Sequence, residues 1–310
     1  MTIAFLYAGQ GSQKEHMGAD IYQSFPQIRE HMDNKIAGIN IGELCFNAPL
    51  EQLSQTRYTQ PCMAAFAAAV TDLLYENGIR PDYAAGLSLG EYSALYAAGV
   101  FDAATLLDVL AFRGQVMEST TAHMETKMMA ILGLAAPLVR QAVAQAMALD
   151  KGIVSCANFN CKGQTVIGGE LVAVDLAAGF CTDLGAKRCM PLNVSAPFHT
   201  PLMEEAARLM REKLSLVECG DMRVPVVFNT TADLLQADES ITGLLETQLK
   251  RPVLFEKSIL RLAELGVDTV VEIGPGSALS GFVRKTAPEI KTHVVEDVAS
   301  LQKTLLALGA

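Results

Sequence analysis

Apolar runs alternate with amphipathic stretches along almost the whole chain, and this alternation predicts an α/β protein. The short apolar runs are nearly continuous, which is typical of strands in a parallel sheet buried on both faces. A helix is predicted from about Pro61 to Asn77 with Thr59 near its cap, and another over 103–120 with Asp102 as its cap. The strands predicted for the main sheet are 3–8, 83–87, 225–229, 269–273 and 292–295.

The middle of the chain shows a different order of predicted elements: a strand, a helix, two strands, a helix and a strand. This is the β-α-β-β-α-β order of a ferredoxin-like unit. We therefore predict a large α/β domain formed by residues 1–122 and 195–310, with residues 123–194 as a ferredoxin-like insert. The predicted elements of the insert cover 127–134, 137–148, 153–158, 164–169, 171–184 and 186–193.

Composition narrows the class of protein. With 310 residues, of which 50% are hydrophobic and 19% charged, the chain can bury a large core. A formal charge of -10 disfavours nucleic acid or an anionic membrane as the main partner. The seven cysteines lack zinc-like spacing, so they predict buried thiols in a reducing compartment and no metal site. Without a basic leader or a membrane-spanning apolar run, the expected location is the cytoplasm.

The strongest candidate for chemistry is Ser88, which stands between Gly86 and Gly90 where a predicted strand meets a predicted helix. The G-x-S-x-G pattern is that of a nucleophile elbow, whose sharp turn needs small neighbours around the serine. The helix predicted over 89–98 would direct its free N-terminal amides toward an oxyanion beside the hydroxyl. At this point an ordinary strand-helix turn remains the alternative.

Two glycine-rich loops follow predicted strands, as the phosphate-binding loops of nucleotide sites do. The GQGSQ segment at 9–13 follows the first predicted strand, but Lys14 occupies the third glycine position of a dinucleotide fingerprint. Gly274–Gly276 fails in the same way, with Leu279 at that position. Neither loop predicts a nucleotide site, and both offer backbone amides at the carboxyl edge of the sheet.

A serine nucleophile needs a base, and His199 is the best candidate because it lies in the proline-bounded loop SAPFHTP at 195–201. A structural or exposed histidine is the alternative. Arg113 stands in an otherwise apolar predicted helix, where it is either a surface arginine near the helix end or a bidentate clamp on a carboxylate. The remaining histidines, in polar or terminal contexts typical of solvated residues, are His16, His31, His123 and His293.

These features together resemble the malonyl-CoA:acyl carrier protein transacylase family, and the resemblance runs nearly from end to end. The family fold implies an α/β-hydrolase-like parallel-sheet domain with an inserted ferredoxin-like subdomain, in agreement with the predicted element order. The motifs that carry the resemblance are GQGSQ at 9–13, GLSLGEYSAL at 86–95, RGQVM at 113–117, ANFN at 157–160, SAPFHTPLM at 195–203, QLKRPVLF at 248–255 and EIGPGSAL at 272–279.

The resemblance implies roles for the residues of the reaction centre. Ser88 would be the acylated nucleophile and His199 its base. The backbone amides of Gln10 and Leu89 would form the oxyanion hole. The backbone carbonyl of Gln248 would orient the histidine in place of a triad carboxylate.

The resemblance also implies a set of substrate-binding residues. Arg113 would hold the free carboxylate of the malonyl group, with Met117 of the same motif beside it. Phe198 would crowd a branch at C2 of the acyl group. Asn158 and Asn160 would meet the pantetheine arm at the edge of the cleft.

The chain departs from the family pattern at three positions: Leu87 replaces the usual histidine before the serine, Ala8 replaces a frequent proline, and His16 stands where glycine is usual. The expected function is transfer of malonyl from malonyl-CoA to an acyl carrier protein through a malonyl-serine, with no cofactor. A serine esterase or thioesterase, and a non-catalytic carrier-binding subunit, are the alternatives. Candidates for a basic docking patch that an acidic carrier would use are Lys187, Arg188, Lys250, Arg251, Arg284 and Lys285.

Overall fold

The computed structural model describes residues 1–309, in which strands and helices alternate along much of the chain. In chain order the strands are β1 (Ile3–Tyr7), β2 (Lys35–Ile36), β3 (Ile39–Asn40), β4 (Tyr83–Gly86), β5 (Thr126–Leu132), β6 (Val154–Cys161), β7 (Gln164–Glu170), β8 (Arg188–Pro191), β9 (Val226–Val227), β10 (Thr269–Ile273) and β11 (Lys291–Val295). The helices are α1 (Ala19–Ser24), α2 (Arg29–Met32), α3 (Ile41–Asn47), α4 (Leu50–Leu53), α5 (Thr56–Glu76), α6 (Leu89–Ala97), α7 (Ala103–Ser119), α8 (Ala136–Met147), α9 (Leu171–Asp183), α10 (Glu204–Leu214), α11 (Ile241–Lys250), α12 (Phe255–Glu264), α13 (Ala278–Thr286) and α14 (Val298–Leu308).

The central sheet is parallel throughout and has the strand order β11-β10-β1-β4-β9. These are the five strands predicted for the main sheet, so the predicted α/β class is confirmed. Tyr7 of β1 pairs with Gly86 of β4 on one side and with Ile273 of β10 on the other. The loops that follow these three strands therefore leave the sheet at the same carboxyl edge, where ligands bind in parallel α/β folds.

Both faces of the central sheet are covered by helices. Phe5 and Tyr7 of β1 are fully buried and pack in one cluster with side chains of α5, α6 and α7. Ala4 and Leu6 point to the other face and pack with α12 and α13. Because successive strand residues face opposite sides, burial of both sets explains why β1 reads as a continuous apolar run.

A second sheet has the order β6-β7-β5-β8, and all of its neighbouring strands are antiparallel. Helices α8 and α9 bury their apolar side chains against it in a separate core. The order of elements confirms the predicted ferredoxin-like pattern between 126 and 191. A single parallel bridge joins Asn158 of β6 to Val253 of the large α/β part, so the edge of this sheet lies against the central fold.

The predicted start of the long helix is wrong. Helix α5 begins at Thr56, and Pro61 lies inside it. Thr59 is not a cap, because its hydroxyl donates to the carbonyl oxygens of Leu53 and Gln55 within the preceding turn. Proline in the second turn removes only one helical N–H, and the buried apolar face of α5 continues through it.

Asp102 does cap α7, as predicted, because its side chain accepts a hydrogen bond from the Thr105 amide. None of the helices formed by residues 1–309 is long and apolar enough to cross a membrane.

Candidate active site

Ser88 occupies a strained turn between β4 and α6, with φ of 57° and ψ of -110°. A Cβ atom at Gly86 would lie 2.0 Å from the carbonyl carbon of Gly90. A Cβ atom at Gly90 would lie 2.2 Å from the carbonyl oxygen of Tyr7. Both positions therefore require glycine, and the turn has the geometry predicted for a nucleophile elbow.

A histidine and a backbone carbonyl complete a hydrogen-bonded chain with this serine. The Ser88 Oγ lies 2.7 Å from His199 Nε2, and His199 Nδ1 lies 2.6 Å from the carbonyl oxygen of Gln248. A carbonyl only accepts, so Nδ1 carries the proton and Nε2 is free to accept one from the serine. Gln248 is in the last turn of α11, where carbonyl oxygens lack helical partners.

The electrostatics of His199 favour its neutral form. Burial, together with the positive charge of Arg113, lowers the pKa of His199 from 6.5 to about 3, against the opposing effect of the Gln248 carbonyl. The imidazole is therefore uncharged near neutral pH. A neutral Nε2 beside the serine hydroxyl can act as a general base.

Arg113 of α7 is 1% exposed, and its guanidinium points at the nucleophile. It donates to Gln60 Oε1 and Gln248 Oε1, each at 2.9 Å, and to Ser88 Oγ at 3.1 Å. Its guanidinium also lies over the ring of Tyr92, 5.2 Å from the ring centre. No acidic side chain within residues 1–309 forms an ion pair with it. Glu91 is close enough to act on its charge, but burial raises the pKa of Glu91 to about 8, which leaves that side chain largely uncharged near neutral pH. Burial lowers the pKa of Arg113, and a bound carboxylate would supply the missing countercharge.

The serine and histidine open into a small cavity of about 80 Å³ at the carboxyl edge of the central sheet. The backbone amides of Gln10 and Leu89 have no hydrogen-bond partner within the described chain, whereas the Gln10 side chain is held by Thr56 at 3.0 Å. The cavity is lined by Gly9, Gln10, Leu87, Ser88, Met128, Asn158, Leu192, Val194, Phe198 and His199.

Not every residue expected in the substrate site reaches this cavity. Phe198 and Asn158 line it, whereas Met117 and Asn160 do not. Arg113 is not part of the lining either, and it reaches the site through its 3.1 Å contact with Ser88 Oγ. Met117 is buried behind Arg113, where its sulfur lies 3.6 Å from Gln60 Nε2. Asn160 is also buried, and its Oδ1 has no partner in residues 1–309. These two side chains support the walls of the site without facing the serine.

Three buried polar residues of the site were not predicted from the sequence. Gln60 holds the Arg113 guanidinium, Asn229 bonds the elbow, and Glu91 bonds the Asn229 backbone. Asn229 could have been suspected, because it ends a strand predicted for the parallel sheet and so lies at its carboxyl edge. Nothing local marks Gln60 or Glu91 as functional, since each lies in a helix of ordinary composition.

A neutral histidine, a strained serine and two available backbone amides on a parallel α/β fold are the arrangement of an enzyme that forms an acyl ester on serine, as acyltransferases and esterases both do. A family profile described as "Acyl transferase domain" matches residues 4–305. The malonyl CoA-acyl carrier protein transacylase of Bacillus subtilis is 39% identical over 99% of this chain and 97% of its own length. The chain therefore belongs to the acyltransferase family that contains the malonyl CoA-acyl carrier protein transacylases.

Solved structures agree with this assignment. The crystal structure of a malonyl CoA-acyl carrier protein transacylase from Clostridium perfringens has a TM-score of 0.94 at 37% identity, covering 100% of this chain and 98% of that one. A second structure, of a malonyl-transacylase in complex with its type II PKS acyl-carrier protein, has a TM-score of 0.95 at 35% identity and covers 99% and 100% of the two chains.

Proposed function

We propose that this chain transfers a malonyl group from malonyl-CoA to the pantetheine thiol of an acyl carrier protein through a malonyl ester of Ser88. The observation that carries the proposal is the fully buried Arg113, whose guanidinium lies 3.1 Å from Ser88 Oγ and has no carboxylate partner of its own. A substrate with a free carboxylate two bonds from its thioester carbonyl would satisfy both groups at once. The relatives described above support this substrate class.

In the first half-reaction His199 Nε2 takes the proton of Ser88, and Oγ attacks the thioester carbonyl of malonyl-CoA. The Gln10 and Leu89 amides donate to the oxyanion. The carbon–sulfur bond then breaks, and the imidazolium returns its proton to the CoA sulfur. In the second half-reaction the carrier thiol gives its proton to Nε2 and attacks the ester, and Ser88 leaves with that proton. No step changes an oxidation state.

The rest of the chain fits the same activity. We propose residues 123–194 as an inserted unit whose sheet edge, at Asn158, forms one wall of the cavity. An acyl carrier protein would dock on exposed basic residues; Lys250 is a weaker candidate because it already pairs with Glu204 and Glu246. The exposed candidates that remain for carrier docking are Lys187, Arg188, Arg251, Arg284 and Lys285.

The seven cysteines are free thiols, which is consistent with the cytoplasm as the proposed location.

Mass spectrometry of the intact protein tests the proposal directly. Malonyl-CoA is expected to leave one malonyl group on Ser88, and an acyl carrier protein bearing its pantetheine thiol should then remove it as malonyl-carrier. The esterase alternative predicts release of free malonate at the same rate with or without carrier. An adduct mapped to a cysteine would contradict the serine mechanism.

The acylation rate should show no histidine titration in the usual range. The pKa of His199 lies at about 3, and the base is active when deprotonated, so its contribution is retained from about pH 8 down to about pH 5. An unperturbed histidine, with a pKa near 6.5, would already have lost half of the rate at about pH 6.5. Rapid-quench measurement of malonyl-Ser88 formation across this range checks the expectation. A half-maximal rate between about pH 6 and pH 7 contradicts it.

Phe198 is expected to select against a branched acyl group. Its ring lines the cavity beside His199, and the cavity holds only about 80 Å³. One extra methyl group in a tight pocket changes kcat/KM by roughly 10- to 200-fold, so methylmalonyl-CoA should be the poorer substrate by that factor. Phe198→Ser should narrow the gap between the two, as measured by competition between malonyl-CoA and methylmalonyl-CoA. An unchanged ratio in the variant would assign the selection to another wall.

A further inference from the structure

Asn229 bonds the backbone of the elbow at two points. This fully buried residue follows β9, and its Oδ1 accepts from the Ser88 amide at 2.8 Å while its Nδ2 donates to the Gly86 carbonyl at 2.7 Å. The two bonds fall on either side of Leu87, where the chain turns from strand to helix. One side chain therefore spans the segment that holds Ser88 at φ of 57°.

Asn229 is itself held by the helix that follows the elbow. Its backbone amide donates to Glu91 Oε2, and Glu91 is a fully buried residue in the first turn of α6. The end of β9 and the start of α6 are thus tied together, with the elbow between them. Strained backbone persists only where its surroundings fix it, and these bonds supply that restraint.

The same residue connects the nucleophile to the support of the base. Gln248 Nε2 donates to the Ser88 carbonyl at 3.0 Å and lies 3.4 Å from Asn229 Oδ1. The carbonyl of Gln248 is the group that orients His199. Because the Ser88 amide donates to Asn229 Oδ1, it is not available to an oxyanion in the cavity. The amides of Gln10 and Leu89 are therefore the donors left for the oxyanion hole.

We propose that Asn229, held by Glu91, is a positioning residue that fixes the strained backbone of Ser88 and so keeps its hydroxyl in line with His199 and with the oxyanion hole. This inference deepens the proposed function and rests on it for the acyl substrate. The effect on Ser88 itself can be measured without that substrate. The neutral side chain at 229 both accepts and donates, which suits an amide and excludes a carboxylate or an aliphatic group.

Asn229→Ala and the nearly isosteric Asn229→Asp test the proposal, with Thr230→Val as the matched control. The aspartate keeps an acceptor for the Ser88 amide but places an oxygen against the Gly86 carbonyl. The Thr230 hydroxyl has no partner in residues 1–309, so its loss breaks no bond. A displacement of about 1 Å at a reacting group can cost about 100-fold, so both Asn229 variants should lose about that factor in kcat. KM for malonyl-CoA should change little, because Asn229 does not contact Arg113.

The rate at which a fluorophosphonate labels Ser88 separates positioning of the serine from substrate binding. The variants are compared at equal folded fraction, which thermal melting measures. The labelling rate should fall with kcat in the Asn229 variants and stay at the wild-type value in Thr230→Val. If Asn229→Ala does not fold, Asn229→Asp decides by the same two readouts. Labelling and kcat equal to those of the control, or a change in KM alone, overturns the proposal. Because the reagent is not an acyl-CoA, this result stands even if malonyl-CoA proves not to be the substrate.

Glu91→Gln provides the conservative rescue. Glu91→Leu removes the oxygen that accepts from the Asn229 amide and should lower kcat and the labelling rate together, whereas glutamine keeps such an oxygen and should recover most of both. Burial raises the pKa of Glu91 to about 8, so the native side chain is already largely uncharged near neutral pH. A loss in Glu91→Gln as large as in Asn229→Ala would contradict the holding role of Glu91.

Discussion

Replacing Ser88 by alanine is expected to abolish both the malonyl adduct and transfer to the carrier, while the protein stays folded. Ser88 Oγ is the hydroxyl that lies 2.7 Å from His199 Nε2. Alanine keeps the Cβ atom of serine, so the strained turn is not altered further. Intact mass after incubation with malonyl-CoA, together with a radiometric transfer assay, measures both losses.

Ser93→Ala is the matched control for this variant. Ser93 is also buried in α6, and its hydroxyl has no partner in residues 1–309.

No cysteine is expected to replace Ser88 as nucleophile. Burial raises the pKa of Cys156 to about 11 and that of Cys181 to about 12, which keeps both as thiols. Contrary to the expectation of buried thiols, Cys189 is only half-buried and Cys219 is exposed; the pKa of Cys219 is also raised by partial burial. A malonyl group that persists on any residue of Ser88→Ala would contradict the assignment.

The parts of the fold that were predicted correctly depend on short-range rules. The apolar run of β1 is continuous because both of its faces are buried, and this is visible in the sequence. The elbow was predictable because its geometry leaves a mark in the sequence: Gly86 and Gly90 approach other backbone atoms so closely that only glycine fits at either position. Ser88 and His199 could be proposed as nucleophile and base from their local contexts, but 111 residues separate them, and the family resemblance was what placed them at one site.

The parts that were missed depend on tertiary contacts. His31 was expected to be solvated, yet it is buried and its Nε2 lies 2.7 Å from Asp72 on α5, which no local pattern shows. Met117 and Asn160 belong to motifs that border the site, but helix and strand periodicity turn them away from the cavity. Asn229 is separated from Ser88 by 141 residues, and only the pairing of β9 with β4 brings the two together.

Arg113→Ala is expected to lose malonyl transfer by roughly 100- to 10,000-fold in kcat/KM, because each of two charge-assisted hydrogen bonds to the malonyl carboxylate contributes about 1.5–3 kcal/mol. The wild-type protein should discriminate against acetyl-CoA for the converse reason, since an acetyl group leaves the buried guanidinium without a countercharge. Arg80→Ala is the matched control: Arg80 also stacks on a tyrosine ring, 4.4 Å from the centre of the Tyr75 ring, but it is exposed and does not contact Ser88.

Competition between malonyl-CoA and acetyl-CoA decides whether Arg113 acts on the carboxylate or only supports the fold. A clamp predicts that Arg113→Ala loses its preference for malonyl while acetyl transfer is retained or increased. A purely structural role predicts that both substrates fall together and that the melting temperature drops. The positive charge of Arg113 also lowers the pKa of His199, so the variant should move the acid limb of the acylation profile toward the ordinary histidine range. Full malonyl activity in Arg113→Ala would contradict the role of Arg113 in binding the carboxylate. Selection of the acyl group would then be assigned to Leu87 and Phe198, which line the cavity beside Ser88.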